Sequence, residues 1–118
     1  MKLKKRNESN TITALIEYLQ TLQNLGHIRW YFRIQCGAVL TAHKTFLRLA
    51  QEGSPDLLCV TKNGVWVSIE AKSDKGGQEK AQVKYEKALS GVMCHKYVIA
   101  KSCDDVAKVL KEVGVDLI

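Results

Sequence analysis

A single proline, four cysteines without one C-x-x-C pair and no apolar run near the roughly 20 residues of a bilayer span mark what this chain lacks. Cys36, Cys59, Cys94 and Cys103 set no disulfide framework in a chain of this size and are expected to be core thiols. A zinc site from Cys94, His95 and Cys103 would match no common ligand spacing and would be one ligand short. No Ser/Gly-rich or repetitive stretch offers a linker or repeat, so one domain over residues 1–118 is expected. The basic opening MKLKKR runs into NESNT instead of an apolar signal core, and a cytoplasmic protein without membrane contact is the expectation.

Acidic side chains are scarce in the first half. Residues 1–50 carry eight Lys or Arg against Glu8 and Glu17, while residues 51–118 carry ten of each sign. The net charge of +6 therefore lies in the first half, and it points to a polyanionic partner.

Ile12, Leu15, Ile16, Leu19 and Leu22 repeat at helical spacing between the capping-prone residues 7–10 and Gly26, which predicts a first helix. Trp30, Phe32, Ile34 and Cys36 then alternate with Arg29, Tyr31, Arg33 and Gln35, the period of a strand with an apolar core face and a cationic outer face. Residues 45–50 lean towards a short strand. Strands over 56–61 and 65–72 flank Asn63-Gly64, a hairpin signal. Gly76-Gly77 precedes a helix over about 78–89, residues 95–101 read as a buried strand, and Ser102 with Asp105 resembles a capping box opening a last helix. These elements imply an α/β fold with a mixed central sheet flanked by helices.

The chemistry concentrates in GSPDLLCVTKNGVWVSIEAK, residues 53–72. Strand alternation puts Glu70 and Lys72 on one face and Val65, Val67, Ile69 and Ala71 on the other. Magnesium takes oxygen ligands and keeps several waters, so Asp56, Glu70 and the Ala71 carbonyl form a sensible protein contribution. An isolated Glu-x-Lys is weak evidence, since chance alone supplies about one in such a chain. Its context is stronger: Gly-Ser-Pro-Asp before one strand, Glu-x-Lys on the next, and Gln82 on the following helix.

In these motifs the chain resembles the virus-type replication-repair nuclease family, VRR-NUC, of the PD-(D/E)xK superfamily. Glu8 with ALIEYL, IQCGAV, and Gln82 with Leu89 and Gly91 extend the likeness over most of the chain. The resemblance implies a restriction-endonuclease-like core and a Mg2+-dependent endonuclease, with Mn2+ as substitute, that cuts DNA, branched DNA such as four-way junctions included. It assigns metal binding to Asp56 and Glu70, charge compensation or water orientation to Lys72, and completion of the site to Gln82. Glu8 matches the family's helix-1 acid, with Glu17 as the alternative. The family often has Ser or Thr ahead of the glutamine, where this chain reads Gln78-Glu79-Lys80. Candidate DNA contacts are Arg29, Arg33, Lys44, Arg48, Lys75, Lys80 and Lys84, joined by Lys87 on the same helix. Trp30 and Trp66 are assigned to core or edge packing ahead of base stacking. A homodimer is expected because a four-way junction has approximate two-fold symmetry and takes two incisions. The other function class is a basic nucleic-acid-binding module without catalysis.

Parity constrains the hairpin. A two-residue Asn63-Gly64 turn sets Asp56 opposite Ala71, on the wrong face for a shared metal. A three-residue loop over 62–64, with Gly64 left-handed, pairs Thr61 with Val65, Cys59 with Val67 and Leu57 with Ile69, and brings Asp56 to Glu70. This loop, or a bulge near Asp56, is the expected geometry.

Overall fold

The computed structural model describes residues 8–34, 38–40, 42–48, 50–73 and 76–117, with backbone alone considered for 38–40 and 46–48. Its elements run α1 (Glu8–Asn24), β1 (Ile28–Arg33), β2 (Ala38–Leu40), β3 (Phe46–Arg48), β4 (Leu57–Thr61), β5 (Trp66–Ala71), α2 (Lys80–Leu89), β6 (His95–Ala100) and α3 (Cys103–Glu112). The main sheet has the order β1-β4-β5-β6, antiparallel but for the last pair, and β2 with β3 forms a separate hairpin. The parallel β5–β6 pair requires a crossover, which α2 supplies. The α/β class and mixed sheet agree with the sequence reading. No helix among the described residues is long and apolar enough to cross a membrane.

Helix α1 turns Leu15, Leu19 and Leu22 inward, and α3 turns in Val106 and Leu110. Both pack on the sheet face made by Leu57, Cys59, Val67, Ile69 and Ala71, the apolar side that alternation assigned to β5. Burying a Leu, Ile or Val side chain there contributes about 1.5–3 kcal/mol, so this layer carries most of the stability. Helix α2 lies on the opposite face, over Ser68 and Glu70.

The β4–β5 hairpin adopts the three-residue loop. Thr61 N donates to Val65 O at 2.9 Å and Gly64 has φ +85°. Leu57 pairs with Ile69 and Cys59 with Val67, as parity required. Asn63 Nδ2 donates to Val113 O at 2.7 Å, fastening the loop to the end of α3.

Strand β1 overturns an expectation. Its alternation is present, but a bulge shifts the register, so Ile28 pairs with Thr61 while Trp30 pairs with Val60. The extra residue inverts parity. Ile28 and Tyr31 face the α1 layer, and Trp30 and Phe32 stand on the other side, 55% and 45% exposed. Of the expected outer face, Tyr31 lies under α1, where its hydroxyl donates to Gln20 Oε1 at 2.8 Å, while Arg29 and Arg33 remain exposed. Trp66 is also 40% exposed, so neither tryptophan is a core residue. Gln35 and Cys36 fall outside the described residues.

The cysteine expectation holds for Cys59, which is buried with its thiol pushed up to about 12 by desolvation. It fails for Cys94, which is exposed, and Cys103 is half-buried. At α3, Asp105 Oδ2 accepts from the Lys101 amide at 2.8 Å and the Ser102 side chain makes no cap bond, so the expected box reaches back one residue further.

The loop before β4 depends on Gly53, which has φ +92° and sits so close to α2 that a β-carbon would stand 2.3 Å from Ala81 O. A β-carbon at Gly64 would meet nothing within 4 Å. Gly64→Ala should therefore cost about 1 kcal/mol for the left-handed backbone alone. Gly53→Ala should cost about 3 kcal/mol or more, because the loop must also leave the helix. Urea unfolding of the two variants checks this order, and equal losses would contradict it.

Candidate metal centre

Three elements deliver three carboxylates to one point. Asp56 precedes β4, Glu70 lies near the end of β5, and Glu8 begins α1; one oxygen of each lies within 4.8 Å of the others. The hairpin register explains the first two: continued one step past Leu57 and Ile69, it sets Asp56 beside Glu70 on one face. Asp56 is fixed from two sides. Its Oδ2 accepts from Ala71 N at 2.8 Å, and its carbonyl accepts from Ile34 N at 2.9 Å. Glu8, not Glu17, is the helix-1 acid that joins the cluster.

Glu70 is 2% exposed. Its Oε1 accepts from Gln82 Nε2 at 2.7 Å, and its buried Oε2 has no hydrogen-bonding partner. Gln82 is itself held, because its Oε1 accepts from the Glu79 amide at 2.9 Å at the start of α2. The helix thus begins after Glu79, and Gln82 lies in the site although Gln78-Glu79-Lys80 departs from the family's usual lead-in. Desolvation is the first cause that raises the Glu70 carboxyl to about 8, followed by the negative charge of Asp56, a proton shared with it, and Glu8; the Lys72 ammonium pulls the other way. Two facing carboxylates cannot both stay ionised without a proton or a cation between them.

Lys72 is 4% exposed and just beyond β5. Its backbone is locked, with the amide donating to Ala100 O at 3.0 Å and the carbonyl accepting from the buried Thr11 hydroxyl at 3.4 Å. A buried ammonium near clustered carboxylates offsets part of their charge. An orphaned buried oxygen and an all-oxygen donor set fit a hard divalent cation, so the cluster can hold a metal ion. The Ala71 amide is seen to orient Asp56. Among the described residues, Cys94, His95 and Cys103 do not form a ligand cluster.

The basic candidates are scattered. Arg29 and Arg33 are exposed along β1, with Arg29 Nε donating to Lys62 O at 3.2 Å. Lys80, Lys84 and Lys87 are exposed on α2, and Lys44 is exposed with φ 59° in the β2–β3 turn. Arg48 lies on β3 and Lys75 outside the described residues. Sequence reasoning missed Thr11, Ser68 and Tyr85 around the site, and considered His95 in a zinc set. Alternation does put Ser68 on the face of Glu70, and Tyr85 follows Gln82 by one helical turn, so two of these were within reach. No family profile, curated protein or solved structure matches the chain.

Because Glu70 is raised in the folded state from an ordinary 4.5 to about 8, the folded protein binds the proton more tightly than the unfolded chain. Its contribution is present below pH 4.5 and is lost as pH rises through 8. With EDTA present, stability to urea should fall across that window by up to about 1.4 kcal/mol per pH unit, and Glu70→Gln should flatten the slope. An unchanged slope in Glu70→Gln would place the titration elsewhere.

Proposed function

We propose that the chain is a divalent-metal-dependent endonuclease on a restriction-endonuclease-like core, hydrolysing DNA phosphodiesters with preference for branched DNA such as four-way junctions. The observation that carries this reading is the convergence of Glu8, Asp56 and Glu70, with Lys72 and Gln82 beside Glu70. Its likeness to VRR-NUC motifs supplies the substrate. Hydrolysis of a phosphodiester needs a nucleophilic water and relief of the negative charge that builds on phosphate.

Asp56, Glu70 and the Ala71 carbonyl hold the ion, Mg2+ by preference and Mn2+ as substitute, and Glu8 completes the acidic rim. Bound there, the ion supplies Lewis acidity towards a phosphate oxygen. Gln82 keeps the Glu70 carboxylate in one orientation. Lys72 compensates charge on the phosphate or orients the attacking water. Lys80, Lys84 and Lys87 on α2, with Arg29, Arg33, Lys44, Arg48 and Lys75, contact the DNA backbone and make binding salt-dependent.

A labelled four-way junction should be nicked with Mg2+ or Mn2+ and spared with EDTA. Asp56→Ala and Glu70→Ala should abolish nicking while junction binding persists. Lys72→Ala should lower the cleavage rate about 10²–10³-fold and still bind metal, which titration calorimetry reads. Binding of the junction by the unmodified protein with no nicking in either metal would favour the non-catalytic module instead.

Two copies act on one junction in this reading, and the open half of the sheet is where they meet. Trp30, Phe32 and Leu58 are uncovered by any described helix, and Phe32 stacks towards Trp66 with ring centroids 6.5 Å apart. Beside them, Trp66, Leu89 and Val92 line an apolar groove. Taking roughly 150–250 Å² per aromatic side chain, the exposed parts of Trp30, Phe32 and Trp66 come to about 200–350 Å². A homodimer interface burying about 800 Å² per partner at about 65% apolar needs about 500 Å², of which these three rings supply about half. The patch carries no charge, so a second copy offers the matching surface and DNA phosphates do not. Light scattering at micromolar concentration should give twice 13.2 kDa, and Trp30→Glu with Phe32→Glu should give a monomer. A monomeric wild type would overturn the dimer, and loss of single-strand binding by Trp30→Ala would then assign the face to bases.

A further inference from the structure

Helix α2 is fastened to β5 by two polar rungs. The first is Gln82 Nε2 to Glu70 Oε1 at 2.7 Å, inside the metal centre. The second lies one helical turn on, where the Tyr85 hydroxyl stands 2.6 Å from Ser68 Oγ. Ser68 is fully buried, and its Oγ is also 2.6 Å from His95 Nε2 at the head of β6. Three residues along a helix advance about 4.5 Å and two along a strand about 6.7 Å, so both rungs link the same faces of the same two elements.

A serine hydroxyl has one proton to give and can accept others. Ser68 therefore donates to at most one of Tyr85 and His95 and accepts from the other, or accepts from both. In every arrangement α2, β5 and β6 are tied at one buried atom. The Tyr85 ring packs against those of His95 and Tyr97, with centroids 6.3 and 5.8 Å away, which limits its rotation. At the same end of the helix, Gln78 Nε2 donates to the Tyr97 hydroxyl at 3.4 Å and to Glu86 Oε1 at 3.2 Å.

The Gln82 side chain is fixed to the start of α2 by its bond to the Glu79 amide, so it moves with the helix. Its amide therefore reaches Glu70 Oε1 only if α2 keeps its height and rotation. We propose that Tyr85, Ser68 and His95 are positioning residues for the metal centre, setting α2 so that the Gln82 amide engages Glu70. None of them is a ligand. The inference rests on the metal-centre reading above for its effect on ion affinity, but its structural half, that Tyr85 sets Gln82, needs no ion.

Two measurements on the full chain separate these halves. In nitrogen-15 spectra of the metal-free protein, the Gln82 side-chain amide, assigned by its loss in Gln82→Ala, should move towards solvent-exposed values in Tyr85→Phe and in Ser68→Ala. Mn2+ titration by calorimetry should show roughly 10-fold weaker binding for Tyr85→Phe and for Gln82→Ala, within the 10–100-fold range for removing a partner of a ligating carboxylate. The double variant should be no weaker than Gln82→Ala, because Tyr85 acts through Gln82. Thermal melts confirm that each variant is folded, and Ser68→Ala serves if Tyr85→Phe is not. An unmoved Gln82 signal, or losses that multiply in the double variant, would overturn the inference while the metal reading stands. Absence of Mn2+ binding by the unmodified protein would remove the metal reading together with the affinity claim.

Discussion

A buried carboxylate with one oxygen held and the other without a donor sets the terms for the rest of this molecule. Glu70 sits where desolvation disfavours its charge and where Asp56 adds more of the same sign. Such a group persists because its neighbours are committed to it: Gln82 on one oxygen, Lys72 nearby, and a facing acid that can share a proton or a cation. Much of the described architecture serves this meeting. The hairpin register brings Asp56, α1 brings Glu8, and α2 brings Gln82.

The two faces of the sheet divide the labour. The α1–α3 side is mostly apolar, with Leu57, Val67, Ile69 and Leu110 closed to solvent, and the buried Thr11 hydroxyl on α1 spends its bond on the Lys72 carbonyl. The α2 side carries the polar contacts. Ser68 and Glu70 alternate with Val67 and Ile69 on one strand, so the most ordered part of the core and the candidate site share a backbone. Movement of the carboxylate is then resisted by hydrophobic packing on the reverse side of the same residues, a way of giving a charged site a rigid support.

Much of this was legible in the sequence where the signal is local. Helical spacing locates α1, strand period assigns the faces of β5, and the parity of Asp56 and Glu70 selects the three-residue loop. What failed was non-local. The strand expected from this alternation is present over Ile28–Arg33, but which side meets the core depends on a bulge at Arg29 that no composition signals. Cys94 was assigned to the core on residue type, yet it lies in the turn before β6, outside the sheet. The Ser68–His95 contact joins residues 27 apart through parallel pairing, which hydrophobic period cannot reveal. Gln82 was recognised from its place in a motif, while its bond to Glu70 required knowing that α2 crosses that face.

The three-residue loop at Lys62, Asn63 and Gly64 has a consequence for how this sequence can change over generations. Its tip is exposed, so side chains there other than Gly64 and Asn63 can drift freely. Its tip can also shorten. With one loop residue gone, Thr61 can still face Val65 across a two-residue turn, and Asp56 stays beside Glu70. The strands have no such latitude: one codon lost between Leu57 and Thr61, or between Val65 and Ile69, would turn Asp56 over relative to Glu70 unless a bulge took up the difference. Inheritance at this hairpin is thus free at the tip and bound to counting in the arms.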